Sequence, residues 1–455
     1  MEMVLEFLRD VLSQPALLIG IMSCVGLIAL KRPFHKVMTG TLKPILGYLM
    51  LAAGAGVIVS NLDPLGKMIE HGFHITGVVP NNEAIVAVAQ KVLGVETMSI
   101  LVVGLLMNLC IARFTKFKYV FLTGHHSLFM ACLMSAVLGT AGLSGMELIL
   151  VGGFLMGAWS AISPAIGQSY TSKVTDGDEI ALGHFGSLGY YLSAWVAKYV
   201  GKAEDSTEDI EIPEKWGFLR DSTLSTALTM IVFYLIAALA AGSEFVATLS
   251  GSMSPYLFAV MSAMNFAVGV AIVYSGVRMI LGDLIPAFQG IATKIIPNAI
   301  PAVDCAVFFT YAPTAVVLGF ISSFIGGIIG MLILGAVGGV LIIPGLVPHF
   351  FCGATAGIYG NATGGRRGAA VGAFLNGLAI TFLPALALPV LGQLGFQNTT
   401  FGDADFAVMG LVLGHAFEWI GMAGIYGIVA IAALVLIIPN FIKTKGKVIN
   451  YVEEE

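Results

Sequence analysis

The chain has 455 residues, of which 57% are hydrophobic and only 11% charged, with a mean hydropathy of +0.92. Soluble domains carry about 25% charged residues, so this composition excludes water as the solvent for most of the surface and points to a membrane. The formal net charge of −5 matters less than where the charges fall.

Along the chain, the opening MEMVLEFLRDVLSQP puts acidic residues before the first apolar run. It lacks the basic n-region and small-residue cleavage site of a signal peptide, so the first helix is expected to stay in the mature protein. A spanning helix needs roughly 20 mostly apolar residues. Candidates run near 14–30, 41–60, 97–114, 118–140, 146–165, 223–243, 253–281, 313–343, 366–392 and 407–440. The amphipathic stretch 184–200 is expected at the interface or against the bundle.

Charge sets the topology. Lys31, Arg32, His35 and Lys36 follow the first span, and Arg113, Lys116 and Lys118 follow the third. Lys198, Lys202, Lys215 and Arg220 lie in 166–222, Arg278 ends a later span, and Lys443, Lys445 and Lys447 follow the last. Intervening loops carry mainly Asp63, Glu70, Glu147 and Glu244. With basic loops inside, the N-terminus lies outside, the C-terminus inside, and the span count is odd, about eleven.

Three stretches are too polar or interrupted for plain spans: 77–94, 283–312 and 344–364. Irregular backbone at membrane depth survives only where protein buries it or where it lines an aqueous cavity. Transporters place substrate at such broken, re-entrant segments. Each half has two long spans and then a polar broken segment, the pattern of two inverted repeats. The hydrophilic loop 201–222 is too short for a catalytic domain, and no nucleotide or metalloprotease motif occurs. Transport then draws on an ion gradient or on a separate partner.

Ionisable residues at membrane depth are candidates for function. These are His125 and His126 in TGHH; Asp176 in TDG, followed by His184 in GHF; Asp304; and Asn82-Glu83. Imidazoles and carboxylates exchange hydrogen bonds with hydroxyl groups, and Phe129 and Phe185 offer faces for a sugar ring. Simpler readings stand beside these. His125 and His126 fit interfacial histidines near Lys116 and Lys118, and His184 fits a helix cap. Asp304 fits a cap or a structural hydrogen bond, and the phenylalanines fit packing. His415 and Glu418 form a candidate buried polar pair, and Arg366 and Arg367 read as topology anchors. The five separated cysteines, Cys24, Cys110, Cys132, Cys305 and Cys352, read as small buried apolar residues.

Several segments resemble the L-ascorbate-specific enzyme IIC permease family of the bacterial phosphoenolpyruvate-dependent phosphotransferase system. They are TGHH at 123–126, KVTDGDEIALGH at 173–184, GVRMILGDLIPAFQGIATKIIPNAIPAVDCA at 276–306, YAPTAVVLGF at 311–320 and LIIPGLVPHFF at 341–351. The likeness runs in order from about 16 to 440. It implies an all-α polytopic membrane protein of eleven spans with re-entrant hairpins, working as a homodimer in the bacterial inner membrane. A core domain would move like an elevator against a V-shaped dimerisation domain. The expected division is 1–76 and 223–282 for the V-shaped helix pairs, 77–222 and 283–440 for the core halves, and 441–455 as a cytoplasmic tail.

The resemblance also implies partners: a small sugar-like substrate, the enzyme IIB that phosphorylates it, enzyme IIA and membrane lipid. It implies no cofactor, metal, nucleic acid or catalytic residue in this chain. Family ligand positions fall on Asn82, Glu83, His125, Phe129, His184, Phe185 and Asp304. Phe129 and Phe185 replace family glutamines, and Asn82-Glu83 replaces a Thr-Tyr pair. Fewer amides make the site more apolar, which can redirect specificity, so the substrate expected from the resemblance is ascorbate or another sugar acid, a pentitol or a keto-sugar. Two further readings stay open: an ion-coupled secondary transporter with Asp304 or Glu83 as its proton or cation site, and a membrane enzyme using His125, His184 and Asp304 as metal or acid–base ligands.

Overall fold

A computed structural model of the protein describes residues 11, 14–74, 77, 78, 80, 82–210, 222–392 and 400–441. The side chain of Glu83, together with Lys215, Arg220, Lys443, Lys445 and Lys447, lies outside the described residues.

Long apolar runs form long helices because a helix satisfies its own backbone wherever water is scarce. The first are α1 (Pro15–Ala29), α2 (Phe34–Gly72) and α3 (Asn82–Phe114). Next come α4 (Gly124–Thr140), α5 (Gly145–Thr175) and α6 (Ser187–Val200), then α7 (Ser222–Ala241), α8 (Ser243–Ser250) and α9 (Pro255–Lys294). The chain continues with α10 (Pro313–Ala336), α11 (Leu346–Gly392), α12 (Ala404–Ile420) and α13 (Met422–Phe441). Among the described residues, seven helices are long and apolar enough to cross a membrane, or eight if the bent pair Thr226–Ala241 and Ser243–Ser250 is one span.

The breaks fall elsewhere than the composition implies. Residues 283–294 continue α9 as helix with Pro286 inside it, so irregular backbone begins only at Ile295. The segment expected to be irregular at 344–364 is helical from Leu346, and α11 breaks at Gly364 and Gly365. Gly365 has φ +60, and a side chain there would strike the carbonyls of Lys202 and Asp205. The Arg366 N–H donates to the Asp205 carbonyl at 2.8 Å, so the turn after α6 closes the break. The span expected over 407–440 is two helices meeting at Gly421, φ +66.

The all-α expectation needs a larger correction. Three short parallel strands, β1 (Tyr119–Phe121), β2 (Ala181–Leu182) and β3 (Ile300–Val303), form a buried sheet in the order β1-β3-β2. Val120 pairs with Pro301, Phe121 and Ala181 both pair with Ala302, and Leu182 pairs with Val303. The Ile300 N–H and the Ala302 carbonyl bond toward β1. Alternation turns Pro301 to the other side, ahead of the first β2 pair, so its missing N–H breaks no ladder bond. The candidate span 118–140 thus starts as a strand and becomes helical only at Gly124.

The helices pack in two groups. α1, α2, α7, α8 and α9 pack on one another, α3–α6 and α10–α13 form a second group, and the sheet lies against α3 and α5 of the second group and α9 of the first. In the first group α2 and α9 cross backbone to backbone. A Cβ on Gly47 would lie 2.8 Å from the Gly276 carbonyl oxygen, and one on Gly54 would lie 2.7 Å from that of Gly269. The seven-residue spacing keeps both glycines on one helix face, and small residues at such crossings let membrane helices approach closely. The outer faces stay apolar: Leu46, Leu332, Ile431 and Leu434 are all exposed.

Candidate solute-binding site

Parallel strands point the same way, so the three ends where the chain leaves the sheet lie side by side. β1 runs through Leu122 and Thr123 into α4, which starts with Gly124, His125 and His126. β2 runs into Gly183, His184 and Phe185, and β3 runs into Asp304. The Leu122 N–H donates to the Ala302 carbonyl at 2.9 Å and the Gly183 N–H to the Val303 carbonyl at 2.7 Å, extending the ladder to the site. Motifs separated by long stretches of sequence thereby meet at one edge.

Asp304 caps the two-turn 3-10 helix Cys305–Thr310, its Oδ1 accepting the Ala306 N–H at 3.0 Å. Its Oδ2 lies 3.4 Å from Nε2 of His125. The other ring nitrogen of His125, Nδ1, is 3.1 Å from the Tyr48 hydroxyl of α2. The His125 side chain is 38% exposed, the most open polar group of the cluster. His126 is buried, its Nδ1 accepting the Phe185 N–H at 3.3 Å, and its ring centroid lies 3.7 Å from that of His184.

His184 is buried, and its Nδ1 accepts the Gly186 N–H at 3.2 Å and lies 2.9 Å from the Tyr190 hydroxyl. An N–H donor aimed at Nδ1 leaves the proton of a neutral ring on Nε2. His126 and His184 therefore carry the same tautomer, set by backbone donors.

Asn82 reaches the cluster through the start of α12. Its Nδ2 donates to Oδ2 of Asp403 at 2.7 Å, and its Oδ1 accepts the Gly402 N–H at 2.9 Å. Oδ1 of Asp403 accepts the Cys352 thiol at 3.0 Å and lies 3.7 Å from Nδ1 of His184. Phe129 stands edge-on to His125, with ring centroids 5.8 Å apart. Phe185 turns the other way: it is fully buried and stacks on Phe121 at 4.6 Å, so its ring belongs to the core behind the sheet.

The sequence reading passed over Asp403 and Asp405. Both are buried, and Asp405 accepts from the Ser187 hydroxyl, the Leu188 N–H and the Trp159 indole. The signal was present as two acidic residues two apart, directly before an apolar run. Tyr48 gave no signal, being one aromatic in an apolar helix. His415 and Glu418 do pair, at 3.0 Å, but at the surface, with Glu418 67% exposed; the expectation of a buried pair is corrected.

Two groups each bring three donor atoms within 4.8 Å of one another: His126, His184 and Asp403 in one, and His184, Asp304 and Cys305 in the other. In the first group, Nδ1 of both histidines and both Asp403 oxygens already hold hydrogen bonds within the protein. The arrangement offers polar side chains beside apolar rings, the chemistry that a polyhydroxylated molecule can use.

Residues 10–405 match the family model described as the PTS system sugar-specific permease component, EIIC-GAT. The chain belongs to this permease family. It is a multi-pass membrane protein. The permease is 27% identical over 417 residues to a Mycoplasma pneumoniae protein named "Ascorbate-specific PTS system EIIC component". The match covers 78% of the permease and 62% of that relative, so the chain spans about three-fifths of the relative's length.

Proposed function

We propose that the permease carries L-ascorbate, or a related sugar acid, pentitol or keto-sugar, into the bacterial cytoplasm. There a separate enzyme IIB, recharged by enzyme IIA, phosphorylates it. The observation that carries this reading is the convergence of His125, His184 and Asp304 at one end of the buried sheet, facing Tyr48 of the other helix group. Hydrogen-bonding side chains gathered at irregular backbone inside a membrane protein form the usual setting for solute binding. The named relative supports ascorbate as the first solute to test.

In this reading α3–α6 and α10–α13 with the sheet form the moving core, and α1, α2 and α7–α9 form the V-shaped scaffold on which a homodimer closes. The two halves are inverted repeats, and the count is eleven spans once the shorter helices are included. Asn82, Glu83 and Phe129 complete the site. Phe185 acts from behind, by fixing the backbone that presents His184.

Uptake of radiolabelled L-ascorbate by cells expressing the permease, with and without enzyme IIB, tests this. Accumulation as the phosphorylated compound, lost without enzyme IIB and lost in His125→Ala, His184→Ala and Asp304→Ala, is the expected result. Accumulation of unmodified ascorbate without enzyme IIB would favour ion-coupled transport. Full uptake by all three variants would remove the site.

A further inference from the structure

His125 is the most exposed polar side chain of the site, yet both its ring nitrogens face protein groups. An ionised Asp304 only accepts hydrogen bonds, so its Oδ2, 3.4 Å from Nε2, favours the neutral tautomer with the ring proton on Nε2. In that tautomer Nδ1 is the acceptor for the Tyr48 hydroxyl at 3.1 Å. Tyr48 belongs to α2, in the other helix group, and is itself buried at 7% exposure.

Tyr48 and Asp304, the two partners of His125, line a narrow cleft along the seam between the two helix groups. Tyr48, Leu51 and Ile280 form one wall, and Thr123, Asp304 and Val307 form the other. The cleft has about 10 Å³ of interior space, room for about one water molecule. The Thr123 hydroxyl is buried and has no hydrogen-bond partner among the described residues. A buried hydroxyl left unpaired costs free energy, and Thr123 shares the lining of the cleft with Asp304.

We propose that the Tyr48 hydroxyl occupies the place of a solute hydroxyl on His125, so that solute entering the cleft must break the Tyr48–His125 bond and meets Thr123 and Asp304 as it does so. Tyr48 is thus an affinity-determining residue supplied from outside the core. Its bond holds the empty core against the scaffold, and a polyhydroxylated solute releases it by competing for the same acceptor. Solutes lacking a donor hydroxyl in that position cannot replace the phenol and bind poorly. The inference rests on the proposed solute site.

Tyr48→Phe removes the hydroxyl and keeps the ring. Calorimetric titration with L-ascorbate is expected to show about three- to tenfold tighter binding in Tyr48→Phe, the return of one competing hydrogen bond. Unchanged or weaker binding would overturn the proposal, because the phenol would then be a bystander or a direct ligand. A second measurement needs no solute. In protein with 15N-labelled histidine side chains, the Nδ1 resonance assigned by its loss in His125→Ala is expected to move in Tyr48→Phe. An unmoved resonance means that the bond is absent in the membrane protein as purified, and the proposal falls. If the unsubstituted protein binds no ascorbate, the named solute fails while the resonance still decides the role of Tyr48.

Discussion

Truncating Asp403 to alanine removes at once the acceptor for the Asn82 amide and that for the Cys352 thiol. Each buried donor left without a partner costs about 1–3 kcal/mol. Asp403→Ala is expected to lower the melting temperature in detergent and to abolish solute binding, whereas Cys352→Ala, which removes a weak thiol donor and its contact with the Tyr190 hydroxyl, is expected to melt closer to the parent. Equal melting of the two variants would show that the Asp403 network carries little. The two phenylalanines separate in the same way. Phe185→Gln places an amide beside Phe121 in the core and is expected to destabilise by about 3 kcal/mol. Phe129→Gln, at the edge of the site beside His125, is expected to leave the fold intact and to shift solute preference toward ascorbate. Thermal melts of both, with a competition assay on Phe129→Gln, check this. Sequence alone offered both rings as sugar platforms; only the chain path past Gly183 shows that one faces the core.

At the scale of elements, two devices hold the helices in place. The α2–α9 crossing leaves no room for side chains at Gly47 and Gly276. Overpacking a close contact costs about 1–3 kcal/mol, so Gly47→Leu is expected to reduce the yield of folded protein and its melting temperature. Gly427→Leu on α13, where a Cβ meets nothing within 4 Å, is the control and is expected to behave like the parent. The second device is a cap from a distance. α10 has no capping side chain of its own, and the Glu208 carboxylate accepts the N–H groups of Thr314 and Ala315 at 3.1 Å. A carboxylate there satisfies orphaned donors and complements the helix dipole. Glu208→Ala is expected to cost about 1 kcal/mol and Glu208→Gln less, as read from thermal melts at low salt.

At the scale of the molecule, the turn after α6 and the break in α11 join through Arg366 and Asp205, beside exposed Lys202 and Arg367. Counted by its Lys and Arg residues alone, the positive-inside rule leads us to expect this region on the cytoplasmic side and the corner between α4 and α5, next to Glu147, on the outer side. With Cys24 and Cys110 replaced by serine, Asp209→Cys is expected to react with a membrane-impermeant maleimide only in inside-out vesicles, and Ser144→Cys only in intact cells. Labelling of both from one side would overturn this topology.

The sequence by itself determined the solvent of this protein, because runs of apolar residues long enough to cross a bilayer have no stable alternative in water. It also determined most helix positions and singled out His125, His184 and Asp304, conspicuous in apolar surroundings, as the residues of the candidate site. Tertiary structure alone decided how they meet. Strands of two to four residues carry no periodic signal, and their pairing joins segments of the chain far apart in sequence. Tyr48 enters the site for the same reason: its role depends on which helix lies across the seam, a contact that no local pattern in α2 specifies.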